Sequence, residues 1–191
     1  MTVGTKSSIK FENCTVDHST IVSGNAACIE SNNSSLDIKD SVFRNFNSTA
    51  IFASNSIIPR INIENCLFEN GGTHDLEGGA IYIENTSSIK LDFDKSFFQI
   101  RIKNVKFSAV HGKLGGGVYL LGSGFNDVTV NIKDSTFTDC LAKSGSAVYA
   151  KNVQILVSNC IFEENTTRYF YLESDNLLSY DLSELIKLVQ Y

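Results

Sequence analysis

The chain has 191 residues, which is enough for one sizeable domain and short for two. Its formal net charge is −5, and its basic and acidic residues are interspersed, so we expect no nucleic-acid partner. No apolar run reaches the length of a membrane span, which predicts no membrane insertion in this segment. There is one Pro and no Trp, and Ile, Val, Phe and Tyr supply most apolar residues, which favours strands over helices.

The N-terminal stretch MTVGTKSSIKF lacks the apolar core of a signal peptide. If the protein is secreted, we therefore expect this chain to be a piece of a longer one.

Six blocks with one shared pattern follow each other along the chain. Apolar and polar residues alternate, and then come Asn or Asp, a mostly small residue, one further residue and a terminal apolar residue. The blocks are IKFENCTV (9–16), LDIKDSVF (36–43), INIENCLF (61–68), RIKNVKF (101–107), VNIKDSTF (130–137) and ILVSNCIF (155–162). Repeats with periods between about 20 and 50 residues indicate a solenoid or an array.

A second predicted strand follows the block in most units. Its versions are TAIF (49–52), GAIYI (79–83), GGVYL (116–120) and SAVYA (146–150), with a looser one in AACIE (26–30). No helical period intervenes, which excludes βαβ units and leucine-rich repeats with helices. Short strands with Gly and Asn corners predict an all-β parallel β-helix of about six coils, formed by residues 1–178.

Two columns of the aligned blocks have a predicted structural role. The terminal apolar residues, mostly Phe, should stack inside the solenoid. The polar column should form a ladder at one corner, where each side chain bonds backbone groups and its counterpart in the next coil. This predicted ladder consists of Asn13, Asp40, Asn65, Asn104, Asp134 and Asn159.

Two units exceed the period, and we predict a strand excursion or wide turn over 84–100 and a smaller bulge over 121–128.

The chain has five Cys, and Cys14, Cys66 and Cys160 share the small column. Residues two coils apart are separated by roughly 9–10 Å, whereas a disulfide needs Cα atoms within about 7 Å. We therefore interpret these three as small buried residues and predict neither a disulfide framework nor a metal site among them. Cys28 and Cys140 are less constrained.

Two His precede the glycine-rich strands at the same offset. His74 lies four residues before Gly78, and His111 lies four residues before Gly115. If the coils stack in register there, the imidazoles emerge together near Asp75 and Glu77. Such a group is a candidate divalent-metal cluster or pH-sensitive contact, and the alternative is a set of polar turn residues. We predict no catalytic residue and no cofactor.

The period changes in SYDLSELIKLVQY (179–191), where Leu182, Leu185, Ile186 and Val189 fall on one helical face. Because the ends of a solenoid need covering, we predict a C-terminal capping helix over 179–191. The alternative is a helix that binds a partner.

The repeat resembles that of the chlamydial polymorphic outer membrane proteins, which combine GGA(I/V/L) with FxxN. Here GGAI is Gly78–Ile81, GGGV and GSAV at 115–118 and 145–148 are near matches, and FEEN is Phe162–Asn165. The resemblance spans roughly residues 9–170. It implies a right-handed parallel β-helix that serves as an extracellular stalk or an adhesive surface. The partner that we expect for such a surface is a protein or a glycan. The chain departs from that family in lacking a signal peptide and a barrel domain.

Three functions follow as hypotheses. The first is a non-enzymatic module of a surface or extracellular protein, acting in adhesion or as a structural stalk. The second is a carbohydrate-active β-helix enzyme, because Arg101-Ile102-Lys103 and His111-Gly112 look like parts of polygalacturonase motifs, although in the wrong order. The third is an intracellular structural scaffold, suggested by the missing signal peptide and the unpaired Cys.

Overall fold

The computed structural model describes residues 2–3, 7–18, 27–55, 60–85, 100–123, 129–163 and 168–173. Every regular element in these ranges is a strand. The strands are β1 (Thr2–Val3), β2 (Ser8–Glu12), β3 (Thr15–Asp17), β4 (Ile29–Asn32), β5 (Ser35–Lys39), β6 (Val42–Arg44), β7 (Ile51–Asn55), β8 (Ile61–Glu64), β9 (Leu67–Gly72), β10 (Ile81–Asn85), β11 (Ile100–Lys103), β12 (Lys106–His111), β13 (Val118–Leu121), β14 (Thr129–Lys133), β15 (Thr136–Thr138), β16 (Val148–Lys151), β17 (Gln154–Ser158), β18 (Ile161–Glu163) and β19 (Phe170–Glu173).

These strands form three parallel sheets. Sheet A has the order β1-β4-β7-β10-β13-β16-β19, sheet B the order β17-β14-β11-β8-β5-β2, and sheet C the order β18-β15-β12-β9-β6-β3. Each sheet therefore receives every third strand of the chain, so the chain winds through B, C and A in turn. This arrangement is a parallel β-helix of about six coils, as predicted. Its right-handed sense stays a prediction.

Each coil contains three strands, one more than the sequence pattern resolved. The extra strand arises because every repeat block bends at its Asn or Asp. In INIENCLF, for example, β8 lies on sheet B, β9 lies on sheet C, and Asn65 at the bend has a φ of 54°. The predicted excursion over 84–100 and the predicted bulge over 121–128 fall mostly outside the described residues, and the predicted capping helix over 179–191 falls wholly outside them.

A column of stacked phenylalanines fills the interior behind sheet C. The rings of Phe43, Phe68, Phe107, Phe137 and Phe162 lie parallel, with successive centroids 4.9, 5.3, 4.5 and 5.2 Å apart. The first four are fully buried and Phe162 is half-buried. This confirms the predicted inner stack, which the register of parallel strands produces by placing like residues over like.

The polar column occupies the corner between sheets B and C. All six of its residues have a φ between 48° and 54°, a left-handed conformation that Asn and Asp tolerate better than other non-Gly residues. Asn65 Nδ2 donates to Asp40 Oδ1 at 2.9 Å, and Asn104 Nδ2 donates to Asn65 Oδ1 at 2.8 Å. Asn159 Nδ2 donates to Asp134 Oδ1 at 3.1 Å. The ladder side chains were predicted to bond backbone groups as well, but the backbone N–H groups at the corner donate to main-chain carbonyls. The Asn65 N–H, for example, donates to the Lys103 carbonyl.

We expect Asn65→Leu to lower the free energy of unfolding more than Asn62→Leu does, by about 1–2 kcal/mol. Both amides donate to an aspartate, Asn65 to Asp40 and Asn62 to Asp37, but only Asn65 has a positive φ. Urea unfolding of the two variants measures the difference. Asn65→Gly separates the loss of the side-chain hydrogen bond from the backbone strain, because it removes the bond to Asp40 while glycine adopts the positive φ without strain. Equal losses for the two Leu variants would contradict a special role for the corner.

Candidate functional site

The two predicted histidines come together at the end of sheet C. Gly72 at the end of β9 pairs with His111 at the end of β12, and the loop after β9 then carries His74 to His111. The imidazole rings stack with centroids 5.1 Å apart and an interplanar angle of 10°. Glu77 forms an ion pair with Lys113 at 3.1 Å, and Asp75 is exposed.

This geometry differs from that of a metal centre. A metal bound by imidazole lies in the ring plane, and two parallel stacked rings do not direct their nitrogens at one point. Zinc sites use three or four protein ligands. Within the described ranges, no group of three or more His, Cys, Asp and Glu is placed to hold a metal ion.

The histidine stack should make stability depend on pH. Burial, together with the charge of His74, lowers the pKa of His111, while Asp139 opposes the shift. The unfolded chain therefore binds more protons once the pH falls below about 6.5, so stability falls from there through the lower folded pKa. We expect a loss of no more than about 1 kcal/mol, because solvent screens these charges.

Thermal unfolding between pH 7.5 and 5.5 checks this prediction. His111→Gln should flatten the pH dependence relative to that of the parent chain. If the melting temperature of His111→Gln fell with pH as steeply as that of the parent chain, the pH dependence could not be assigned to His111.

None of the five cysteines forms a disulfide bond. Cys66 and Cys140 are buried, whereas Cys14, Cys28 and Cys160 are half-buried. Burial raises the pKa of the Cys66 thiol to about 11 and that of Cys140 to about 12, so both thiols are protonated at neutral pH and poor nucleophiles.

The residues of the polygalacturonase-like motifs lie on two different sheets. Arg101 and Lys103 belong to β11 in sheet B, while His111 ends β12 in sheet C. Ile102 is fully buried and Lys103 pairs with Glu64 at 3.1 Å. These residues have local structural partners and form no shared site in the described part of the chain.

A second aromatic column lies on the outer face of sheet A, and our sequence reasoning missed it. Phe52, Tyr82, Tyr119, Tyr149 and Tyr171 occupy one register position on five successive strands. We call these five residues the outer row. The sequence signal for this column is the aromatic residue that follows Ile or Val in TAIF, GAIYI, GGVYL and SAVYA. Successive side chains of a strand point to opposite faces, so an aromatic residue next to an inward Ile or Val points outward.

The rings of the outer row stack on one another, with centroids 4.8 to 5.1 Å apart. Tyr149 Oη donates to Glu173 Oε2 at 2.6 Å, and Tyr82 Oη donates to Glu84 Oε2 at 3.4 Å. Burial, with these carboxylates, raises the pKa of both phenols. Tyr119 and Tyr149 are 8% and 6% exposed, whereas Tyr171 is 40% exposed. The middle of the row is thus covered, and its two ends are more open.

Three loops between sheets C and A stack on one another from coil to coil. We call residues 73–77, 112–114 and 141–144 the loop wall. The Lys113 N–H donates to the Leu76 carbonyl at 2.7 Å, and the Lys143 N–H donates to the Lys113 carbonyl at 3.0 Å. The Glu77–Lys113 ion pair adds a side-chain link. Main-chain bonds of this kind continue the coil-on-coil register outside the sheets, so the wall keeps a defined position.

A cleft of about 370 Å³ lies where the loop wall meets the first ring of the outer row. Ala27, Glu30, Ser48, Thr49, Phe52, Leu76, Glu77 and Tyr82 line it. Thr49 Oγ1 donates to the Gly78 carbonyl at 2.7 Å and so ties its segment to the next coil. The cleft combines two aromatic rings, two apolar side chains, two hydroxyl groups and two carboxylates.

No family model, no curated protein and no solved structure matches this chain. In the described part of the chain, no helix has the length and apolar character needed to cross a membrane.

Proposed function

We propose that the chain is a non-enzymatic β-helical module of a surface or extracellular protein, acting in adhesion or as a structural stalk. The observation that carries the proposal is the outer row. An inner stack is required to fill the solenoid, but an outward aromatic column over five coils is not. Its more open ends, with Phe52 and Tyr82 at one end and Tyr171 at the other, offer aromatic surface of the kind that is enriched at binding sites. The resemblance of the repeats to those of polymorphic outer membrane proteins supports the same function.

The architecture suits a stalk as well as a binding surface. Main-chain pairing and the inner Phe stack link successive coils, and the Asn/Asp ladder adds side-chain hydrogen bonds between some of them. Since each coil adds about 4.8 Å along the axis, the module holds its surface features at fixed distances. A protein or glycan ligand would then contact several coils at once.

Antibodies against the folded chain test the location. We expect them to label intact, unpermeabilised cells of the organism from which the sequence comes. Labelling that requires permeabilisation would contradict the proposal and favour the intracellular scaffold. Fab fragments of the same antibodies test adhesion, because they should reduce attachment of the cells to a mucin-coated surface. Surface labelling without any effect on attachment would restrict the role to a stalk.

An activity assay tests the enzymatic alternative. The chain is incubated with polygalacturonate and with alginate, with and without Ca²⁺, and new reducing ends are measured. We expect none above a heat-denatured control. Sustained release that follows the protein concentration would replace the proposed function with that of a carbohydrate-active enzyme.

A further inference from the structure

The outer row ends abruptly at Phe52. The residue in register with Phe52 on the preceding strand is Glu30, which is not aromatic, so the stack of rings stops at Phe52. Within the described residues, Phe52 has one aromatic neighbour, Tyr82, at a centroid distance of 4.8 Å. The cleft of about 370 Å³ lies at this end of the row. Phe52 therefore has one ring face without an aromatic partner next to the cleft.

Two carboxylates line the cleft, and within the described residues only one of them forms an ion pair. Glu77 lines it but already has a cation, because its carboxylate accepts from Lys113 Nζ at 3.1 Å. Glu30 is half-buried. Among the described residues, no side chain forms an ion pair with Glu30. The cleft thus combines the negative face of an aromatic ring with a carboxylate that lacks a counterion in this part of the chain.

We propose that this cleft binds an organic cation, either an alkylated ammonium or a guanidinium group. The quadrupole of an aromatic ring attracts a cation placed over its face, and the Glu30 carboxylate would supply a charge-assisted contact. Leu76 and Tyr82 offer apolar surface to the alkyl part of such a group. An anion would be repelled by Glu30 and Glu77, and a neutral sugar would leave the charge of Glu30 uncompensated.

The size of the cleft agrees with this ligand class. Ligand sites span roughly 300–1,000 Å³, so a volume of about 370 Å³ admits a choline-sized group or the end of one Lys or Arg side chain. The inference does not depend on the proposed surface function, because it uses only residues of the cleft. Its failure would leave the surface location untouched.

The first experiment compares choline with its neutral isostere 3,3-dimethylbutan-1-ol, each titrated into the folded chain at low salt. Two-dimensional NMR follows the signals of Phe52 and Tyr82. We expect choline to shift these signals with a millimolar or tighter Kd and to bind at least several-fold more tightly than the isostere. Equal binding of the two compounds, or no binding of choline up to tens of millimolar, would exclude a quaternary ammonium ligand, and the whole proposal is overturned if lysine and arginine probes also fail to bind.

Three variants locate the site. Glu30→Gln keeps the shape and removes the charge, so it should weaken choline binding several-fold, and Phe52→Leu should do the same by removing the ring. Glu163→Gln, on β18 in sheet C and away from the cleft, is the matched control and should leave the Kd unchanged. Thermal unfolding verifies that each variant is folded. Unchanged binding in a folded Glu30→Gln variant would contradict the assignment.

Two further probes distinguish the sources of the cation. N-acetyl-lysine amide and N-acetyl-arginine amide represent the side chains of a protein partner, with N-acetyl-norleucine amide as the neutral control. Tighter binding of the Lys or Arg probe than of choline would assign the cleft to a partner side chain. The reverse order would assign it to a quaternary ammonium compound. No preference of either cationic probe over norleucine, together with equal binding of choline and its isostere, would refute a cation site.

Discussion

Phe107→Ala is expected to lower the free energy of unfolding by about 3–5 kcal/mol, the usual range for a buried Phe. The ring is 1% exposed and lies between Phe68 and Phe137, with centroids 5.3 and 4.5 Å away. Its removal would leave a cavity in the middle of the stack. Neighbouring coils cannot close this cavity, because their spacing is set by main-chain hydrogen bonds.

Phe162→Ala is the matched control for this prediction. Phe162 belongs to the same stack but is half-buried on the last coil, so its loss should cost clearly less. Chemical denaturation of both variants, with the slope against denaturant compared to that of the parent chain, measures the two changes. Equal costs, or a cost near zero for Phe107→Ala, would contradict the assigned role of the inner stack.

Gly79→Ala is expected to lower the free energy of unfolding by about 3 kcal/mol, at the upper end of the range for overpacking. A Cβ built on Gly79 would lie 2.1 Å from the Gly116 carbonyl oxygen and 2.5 Å from that of His111. Both are main-chain atoms of the next coil and cannot move aside as a side-chain tip would. The coils would have to separate locally, which breaks the hydrogen bond from the Gly79 N–H to the Gly115 carbonyl.

Ser146→Ala is the matched control for the glycine. Ser146 occupies the equivalent position in a later coil and carries a Cβ while fully buried. It should lose about 1 kcal/mol at most, from a long hydroxyl contact of 3.4 Å to the Arg168 carbonyl. The melting temperatures of the two variants measure the difference between their losses of stability. A loss for Gly79→Ala no larger than that for Ser146→Ala would mean that the coils tolerate a methyl group there.

The candidate sites were predictable to different degrees. The approach of His74 and His111 followed from their equal distance to Gly78 and Gly115, because residues at equal offsets in stacked coils come together. The orientation of the rings did not follow, since it depends on how the loops before them pack. The outer row could have been found from the alternation in GAIYI and GGVYL. Its partial burial could not, because the exposure of each ring depends on which residues pack around it in the folded chain.

The cleft could not be predicted from the sequence. Its residues come from separate parts of the chain, with Glu30 on β4, Phe52 on β7 and Leu76 in the loop after β9. No local pattern marks Glu30 as the end of an aromatic column, because its block, AACIE, is the least regular of the second strands. Only the pairing of β4 with β7 places Glu30 opposite Phe52.

The amino-acid sequence by itself determined the solenoid, the inner Phe stack and the residues at the polar corner. It did so because a repeating fold places equivalent residues over one another, so that the same physical constraint selects the same residue type in every coil. The tertiary structure alone decided where the aromatic row stops, which of its rings are covered and how the two imidazoles face each other. These features arise where one coil differs from the next, and the consequence of a difference depends on the neighbours that surround it.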